Sequence, residues 1–254
     1  MKGRHPAIAI CILLSGLTAL ACGAVGSLLA TPTPTPTRTP RPTATLAPTS
    51  TPTAPQIGRE KKAQSDGTTL FTDSEGGYEV TFPAGWTVVI TDIDDMEALL
   101  ADLPEQEEAV EELLAMVRQA DAAVFRAFAF NFGAQFGLFT PNINIVRSED
   151  PLISSMSMAE LVTANVQVLP NIIPGAIIGE NGVAQTTGGL EIGHVAITWE
   201  MQDATGKAMP LTQRMIMFKP GDDAVTITLT VPSEAGVDLN PGFEQLINSI
   251  GLLD

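Results

Sequence analysis

Histidine occurs twice in the 254 residues, at His5 and His194, and cysteine twice, at Cys11 and Cys22. Downstream of Cys22 there is thus no thiolate nucleophile, no disulfide and no thiolate ligand for a metal. His194 lies in the run GHVAITWEMQ, where Val195, Ile197, Trp199 and Met201 form the apolar alternation of a strand. It shares the other face with Thr198 and Glu200. A general-base role requires a nucleophile and an orienting group beside the imidazole, and no local motif supplies either. With one imidazole and no thiol the usual zinc ligand sets are out of reach. No cofactor and no metal is expected.

The carboxylates are more numerous. Asp92, Asp94, Asp95 and Glu97 form an acidic knot that invites a calcium reading. An EF-hand loop needs Gly at its sixth position and Glu at its twelfth, but here Glu97 and Leu103 occupy them. Negative charge at a helix N-terminus is favoured by the macrodipole and explains the cluster without a cation. Glu180, Glu191 and Glu200 offer the carboxyl pair of a glycosidase in principle, without an aromatic sugar platform beside them. Six of the ten phenylalanines fall within AAVFRAFAFNFGAQFGLF. Phe125, Phe128, Phe130, Phe132 and Phe136 are candidates to line an apolar pocket, since large rings beside small Gly and Ala leave room for a ligand. Used as core, the same rings would simply close the domain.

The elements that hold these residues follow a leader. Lys2 and Arg4 precede an uncharged apolar run over residues 7–30, and ten Thr and eight Pro then fill residues 31–55. That order specifies an export signal or membrane anchor on residues 1–30 and an extended Thr/Pro linker on residues 31–65. At about 3.1 Å per residue the Thr/Pro tract reaches on the order of 80 Å. Three outcomes are written around Cys22. Ala19-Leu20-Ala21 suits a signal peptidase and a secreted product. A cysteine directly after a small residue resembles a bacterial lipobox, which makes Cys22 a candidate lipidation site, although Ala19 and Leu20 stand in the reverse of the usual order. The 24 apolar residues also suffice to span a bilayer uncleaved. The expected location is the extracytoplasmic face of the cell membrane, with secretion as the alternative.

From Asp66 onward there are 28 acidic and six basic residues, a formal charge of −22. Such a field repels nucleic acid and anionic lipid head groups and favours basic protein partners. About 190 residues are enough for one domain with its own core, expected over residues 66–254.

Along that domain, Tyr78, Val80 and Phe82 alternate as a strand, and a second strand follows Pro83-Ala84-Gly85. Met96, Leu99, Leu100 and Leu103, then Val110, Leu113, Leu114 and Val117, recur at helical spacing, so residues 94–121 read as an acidic helical insertion. Ser157 and Glu160 make a capping box that opens a helix through about Leu169. Four strands follow, over residues 176–186, 190–202, 211–219 and 224–231. Asn240 and Pro241 then start a terminal helix that stops at Gly251. The order predicts an α+β fold with a mainly antiparallel sheet covered by helices.

The phrases GGYEVTFPAGWTVV, PNINIVRSEDP with SMAELVTANVQVL, GHVAITWEMQD with LTQRMIMFKPGDDAVTITLTVP, and FEQLINSI resemble the PsbP-like superfamily. That group includes bacterial lipoproteins of the DcrB and LpqN type. The resemblance implies an α/β/α sandwich serving as a non-catalytic binding or assembly module, and it carries no functional residue across. The expected function is therefore a membrane-anchored extracytoplasmic binding module rather than an enzyme. A carrier of a small apolar ligand or lipid in a Phe-lined pocket is the first alternative, and a carboxylate-based hydrolase the second.

Overall fold

A computed structural model describes residues 58–90, 124–134, 136, 139–202, 207–234 and 238–253. The leader, the Thr/Pro tract, Cys22 and the acidic helical stretch 94–121 lie outside the described residues.

Among the described residues eleven strands form two sheets. The larger has the order β4-β5-β6-β10-β9-β8-β7, and the smaller β1-β2-β3-β11. Their ranges are β1 Arg59–Ala63, β2 Thr69–Asp73, β3 Tyr78–Phe82, β4 Thr87–Ile90, β5 Phe125–Phe130, β6 Asn142–Ser148, β7 Ile177–Gln185, β8 Glu191–Gln202, β9 Ala208–Phe218, β10 Ala224–Pro232 and β11 Gly251–Leu252. Among the described residues three α-helices accompany them: α1 Pro151–Ser155, α2 Met158–Ile172 and α3 Asn240–Asn248. Each strand pair is antiparallel, as the meander-like sequence predicts.

Alternation along the strands divides the large sheet into two faces. One face presents Ala127, Ile143, Ile216, Phe218 and Ile227 to Phe71, Val80 and Phe82 of the small sheet and to Phe243, Leu246 and Ile247 of α3. The other presents Val195, Ile197, Met215 and Met217 to Met158, Leu161 and Leu169 of α2. Helices therefore lie on both sides of the large sheet, but one side is also covered by a second sheet that the expected layering lacked. Gly193 permits the close approach of α2, because a Cβ there would stand 2.7 Å from Val162 Cγ2 and 2.9 Å from Met158 Sδ.

Local chemistry explains the helix ends. The Ser157 hydroxyl accepts from the Glu160 amide while the Glu160 carboxylate accepts from the Ser157 amide, the expected capping box. Hydrogen bonds from the Ser157 amide and then from its hydroxyl hold the carboxylate below its ordinary range. Lys219 extends its ammonium to the carbonyls of Ser154 and Met156 around the end of α1, where the dipole favours a cation. The terminal helix differs from its expected cap: Leu239 is the N-cap, without a side-chain bond, and Asn240 is already helical. The Asn240 amide instead donates to Asp238.

β1 lies ahead of the expected boundary at Asp66. β1 pairs with β2 from Arg59↔Asp73 to Ala63↔Thr69. Its sequence, REKKA, lacks apolar alternation because it is an edge strand whose side chains are mostly exposed.

Candidate functional site

Two constellations bring polar side chains together, and the first is an ion network between the sheets. Asp73 closes β2, and Arg126 sits on β5. Their side chains are 0% and 2% exposed. Arg126 Nε donates to Asp73 Oδ2 at 2.7 Å and Nη2 donates to Asp73 Oδ1 at 2.9 Å. Nη2 also donates to Glu75 at 2.5 Å. Arg147 on β6 extends the network, with Nε donating to Asp223 at 2.8 Å and Nη2 standing 3.1 Å from Glu149. Burial works against the Arg126 charge, but the hydrogen bonds and charges of Asp73 and Glu75 outweigh it and raise its pKa. Glu75 is held below the usual carboxylate range by its hydrogen bond to Arg126 and by that charge. Tyr78 packs beside the pair, and burial followed by the Asp73 charge pushes its phenol well above the ordinary value. Every strongly buried charge here faces an opposite charge, so the network is a clamp between layers rather than a reactive group.

The second constellation is a groove of about 280 Å³ between β7–β9 and α3. Its polar walls are Glu180 and Thr186 at β7, His194 on β8, Arg214 on β9, and Glu244 and Asn248 on α3. Strand alternation places His194 here on the side away from α2, as its partners Thr198 and Glu200 predict. Its Nε2 lies 3.8 Å from Glu180 Oε1. Arg214 is fixed by Asn240 at 3.0 Å and Glu244 at 2.5 Å, and stacks over the Phe243 ring at 5.2 Å. Thr186 is occupied as an acceptor for the Leu190 amide, so it offers His194 no prepared nucleophile. Of the candidate glycosidase carboxylates only Glu180 enters the groove. Glu191 and Glu200 lie nine residues apart on β8, roughly 30 Å along an extended strand, against the roughly 5–9.5 Å of a working pair.

A smaller cavity of about 30 Å³ lies beneath α2, lined by Asn144, Asn165 and Thr228 among others, and has room for about one water. The phenylalanines proposed from the sequence line neither space. Phe125, Phe128 and Phe130 on β5 are 4%, 2% and 0% exposed. Their rings stack in a row, with centroids 5.4 and 6.2 Å apart. Phe132 starts a 3₁₀ turn and tilts against Phe130, whereas Phe136 is 38% exposed. Among the described residues, no three His, Cys, Asp or Glu side chains gather to hold a metal, and no helix is long and apolar enough to cross a membrane.

The ion network escaped the sequence because its members come from four separated segments. The available signal was Arg126 inside the otherwise apolar FRAFAF, with Arg147 after the apolar Ile143, Ile145 and Val146; charge at such positions is buried only when paired.

The sequence matches no family model and no curated protein. The fold resembles PsbP. The cyanobacterial PsbP of Synechocystis sp. PCC 6803 aligns at 12% identity and a TM-score of 0.48, over 78% of this chain and 99% of that one. LpqN, involved in cell envelope biogenesis of Mycobacterium tuberculosis, aligns at 10% identity and 0.42, over 79% and 93%. The Saccharomyces cerevisiae Ran-binding protein Mog1p aligns at 10% identity and 0.41, over 78% and 97%.

Proposed function

We propose that this chain is an extracytoplasmic binding module, held at the membrane by its N-terminal segment and engaging a protein partner through its acidic folded domain. The observation that carries this reading is the free end of the large sheet. β7 and the rim of β8 are exposed beside a preformed groove, and Glu180 is exposed at it. The leader, with Cys22 as the acylated residue or with residues 7–30 as a span, supports the location. The Thr/Pro tract supplies the reach, and the charge of −22 from Asp66 onward favours a basic partner surface.

Affinity capture from membrane extracts tests the function. The full-length chain should recover a protein partner that a leader-and-stalk control does not, and recovery that falls as salt rises would match the acidic surface. Equal recovery by the control overturns the proposal. The mode of attachment is read separately: Cys22→Ser should release the protein from membranes and abolish incorporation of labelled fatty acid. Unchanged membrane retention would assign attachment to the apolar span.

A further inference from the structure

The two sheets have four edges, and they are not equivalent. β11 has only two residues. β1 and β4 lie beside one another, with Lys61 of β1 donating to the Val88 carbonyl of β4 at 2.8 Å and Arg59 donating to the Phe125 carbonyl of β5 at 3.4 Å. β7 is the long edge. It has nine residues, pairs with β8 alone among the described residues, and exposes Ile177 at 69% and Val183 at 43%.

The direction of its backbone groups follows from the register. The Thr186 amide donates to the Leu190 carbonyl at 2.9 Å, so the pair Thr186–Leu190 is of the hydrogen-bonded kind. Antiparallel pairs alternate. Ala184↔Ile192 and Gly182↔His194 are therefore also hydrogen-bonded pairs, and the N–H and C=O groups of Asn181, Val183 and Gln185 point away from β8. The register shifts between Ile178 and Asn181, which leaves Asn181–Gln185 as the regular part of the edge.

The side chains beside this edge set what it selects. Gly182 and Ala184 stand on the groove face and are small, so the groove opens to the edge without a wall. Glu180 lies at its mouth, 88% exposed, whereas Glu244 across it on α3 is already paired with Arg214. A second copy of the chain brings the same large negative charge to a contact, whereas a cationic side chain is attracted to this mouth.

We propose that residues 181–185 of β7 take up an extended basic segment of a partner protein as an added strand, with one Lys or Arg side chain crossing Gly182 and Ala184 to Glu180 at the mouth of the groove. Backbone bonds at Asn181, Val183 and Gln185 give the affinity, and the groove gives the preference for a cation. This rests on the binding-module function proposed above and specifies its docking mode.

The test uses the full-length chain and a fluorescent decapeptide of alternating Thr and Lys, read by polarisation at low salt. Its controls replace every Lys by Glu or methylate alternate backbone amides. The Lys peptide should bind, and both controls should bind at least about tenfold more weakly. Val183→Pro removes one outward N–H without touching the β7–β8 ladder and should weaken binding about tenfold with an unchanged melting temperature. Glu180→Lys should reverse the preference between Lys and Glu peptides. Absence of binding, equal binding of the methylated peptide, or dimerisation of the chain relieved by Val183→Pro would each overturn the proposal. If Val183→Pro melts early, the methylated peptide and Glu180→Lys decide alone. If Val183→Pro still captures the membrane-extract partner as well as the parent chain does, this docking mode falls and the binding-module function stands.

Discussion

Arg126 and Asp73 meet through two parallel hydrogen bonds, of 2.7 and 2.9 Å, that tie the small sheet to the large one. Breaking such a buried pair from one side strands a charge, which costs about 3–5 kcal/mol, whereas replacing both partners by apolar residues costs far less. Arg126→Met and Asp73→Leu should each lower stability by that amount, and the double variant should recover much of the loss. Urea unfolding of the four proteins checks the pattern; an additive double variant would mean that the pair is not coupled.

Glu75 ties the same network to solvent pH. Its folded-state pKa is depressed, chiefly by the Arg126 hydrogen bond and then by the Arg126 charge. A depressed carboxyl contributes stability above its unfolded value, ordinarily near 4.5, and loses it as pH falls through the lower folded value. Because Glu75 is half exposed, solvent screening limits the effect to at most about 1 kcal/mol. The stability gap between the parent chain and Glu75→Gln should hold at neutral pH and shrink below about pH 4, as followed by urea midpoints at several pH values.

Gly76 sits against Asp73 of the clamp and against Tyr78. A Cβ there would stand 2.7 Å from Tyr78 Cε1 and 2.9 Å from Asp73 Oδ2, and the Gly76 amide already donates to Asp73 Oδ1 at 2.9 Å. Gly76→Ala should destabilise by about 1–3 kcal/mol through overpacking. Thermal unfolding measures this, and a neutral result would show that the turn can move aside.

The capping box of α2 offers a contrast, since it lies at the surface. Ser157→Ala removes an acceptor for the Glu160 amide and should cost about 1 kcal/mol, with faster amide exchange confined to the first turn of α2. Exchange spreading to the β8–β9 face would show that this turn controls the whole helix layer.

Periodicity revealed the strands and helices that own an apolar face. β3, β8, β9, β10, α2 and α3 all bury regularly spaced side chains, and that regularity is visible in one dimension. β1 and β11 were invisible for the opposite reason: REKKA and a Gly-Leu pair have no face to bury and are strands only because β2 and β3 offer them partners. α1 is five residues long, too short to show a period. The same limit applies to the polar sites. His194 could be assigned to a strand face from its neighbours, but its approach to Glu180 and α3 depends on a β7–β8 register and a helix position that residue order alone does not encode. The Arg126–Asp73 pair spans 53 positions, and no local pattern links them.

Pairing of Arg59 with Asp73 has a mechanical meaning. The chain joins the small sheet at Arg59, directly opposite the residue that Arg126 clamps, and the Gly58 carbonyl accepts from the neighbouring Ser74 amide at 2.9 Å. Tension arriving from upstream therefore meets the small sheet beside the residue that the ion pair ties to the large sheet. From β4, beside that point, to β7 are six strand steps, about 30 Å at the usual strand spacing. A load between a tether and a ligand on β7 would cross the full width of the ladder, with the ion pair as its first link.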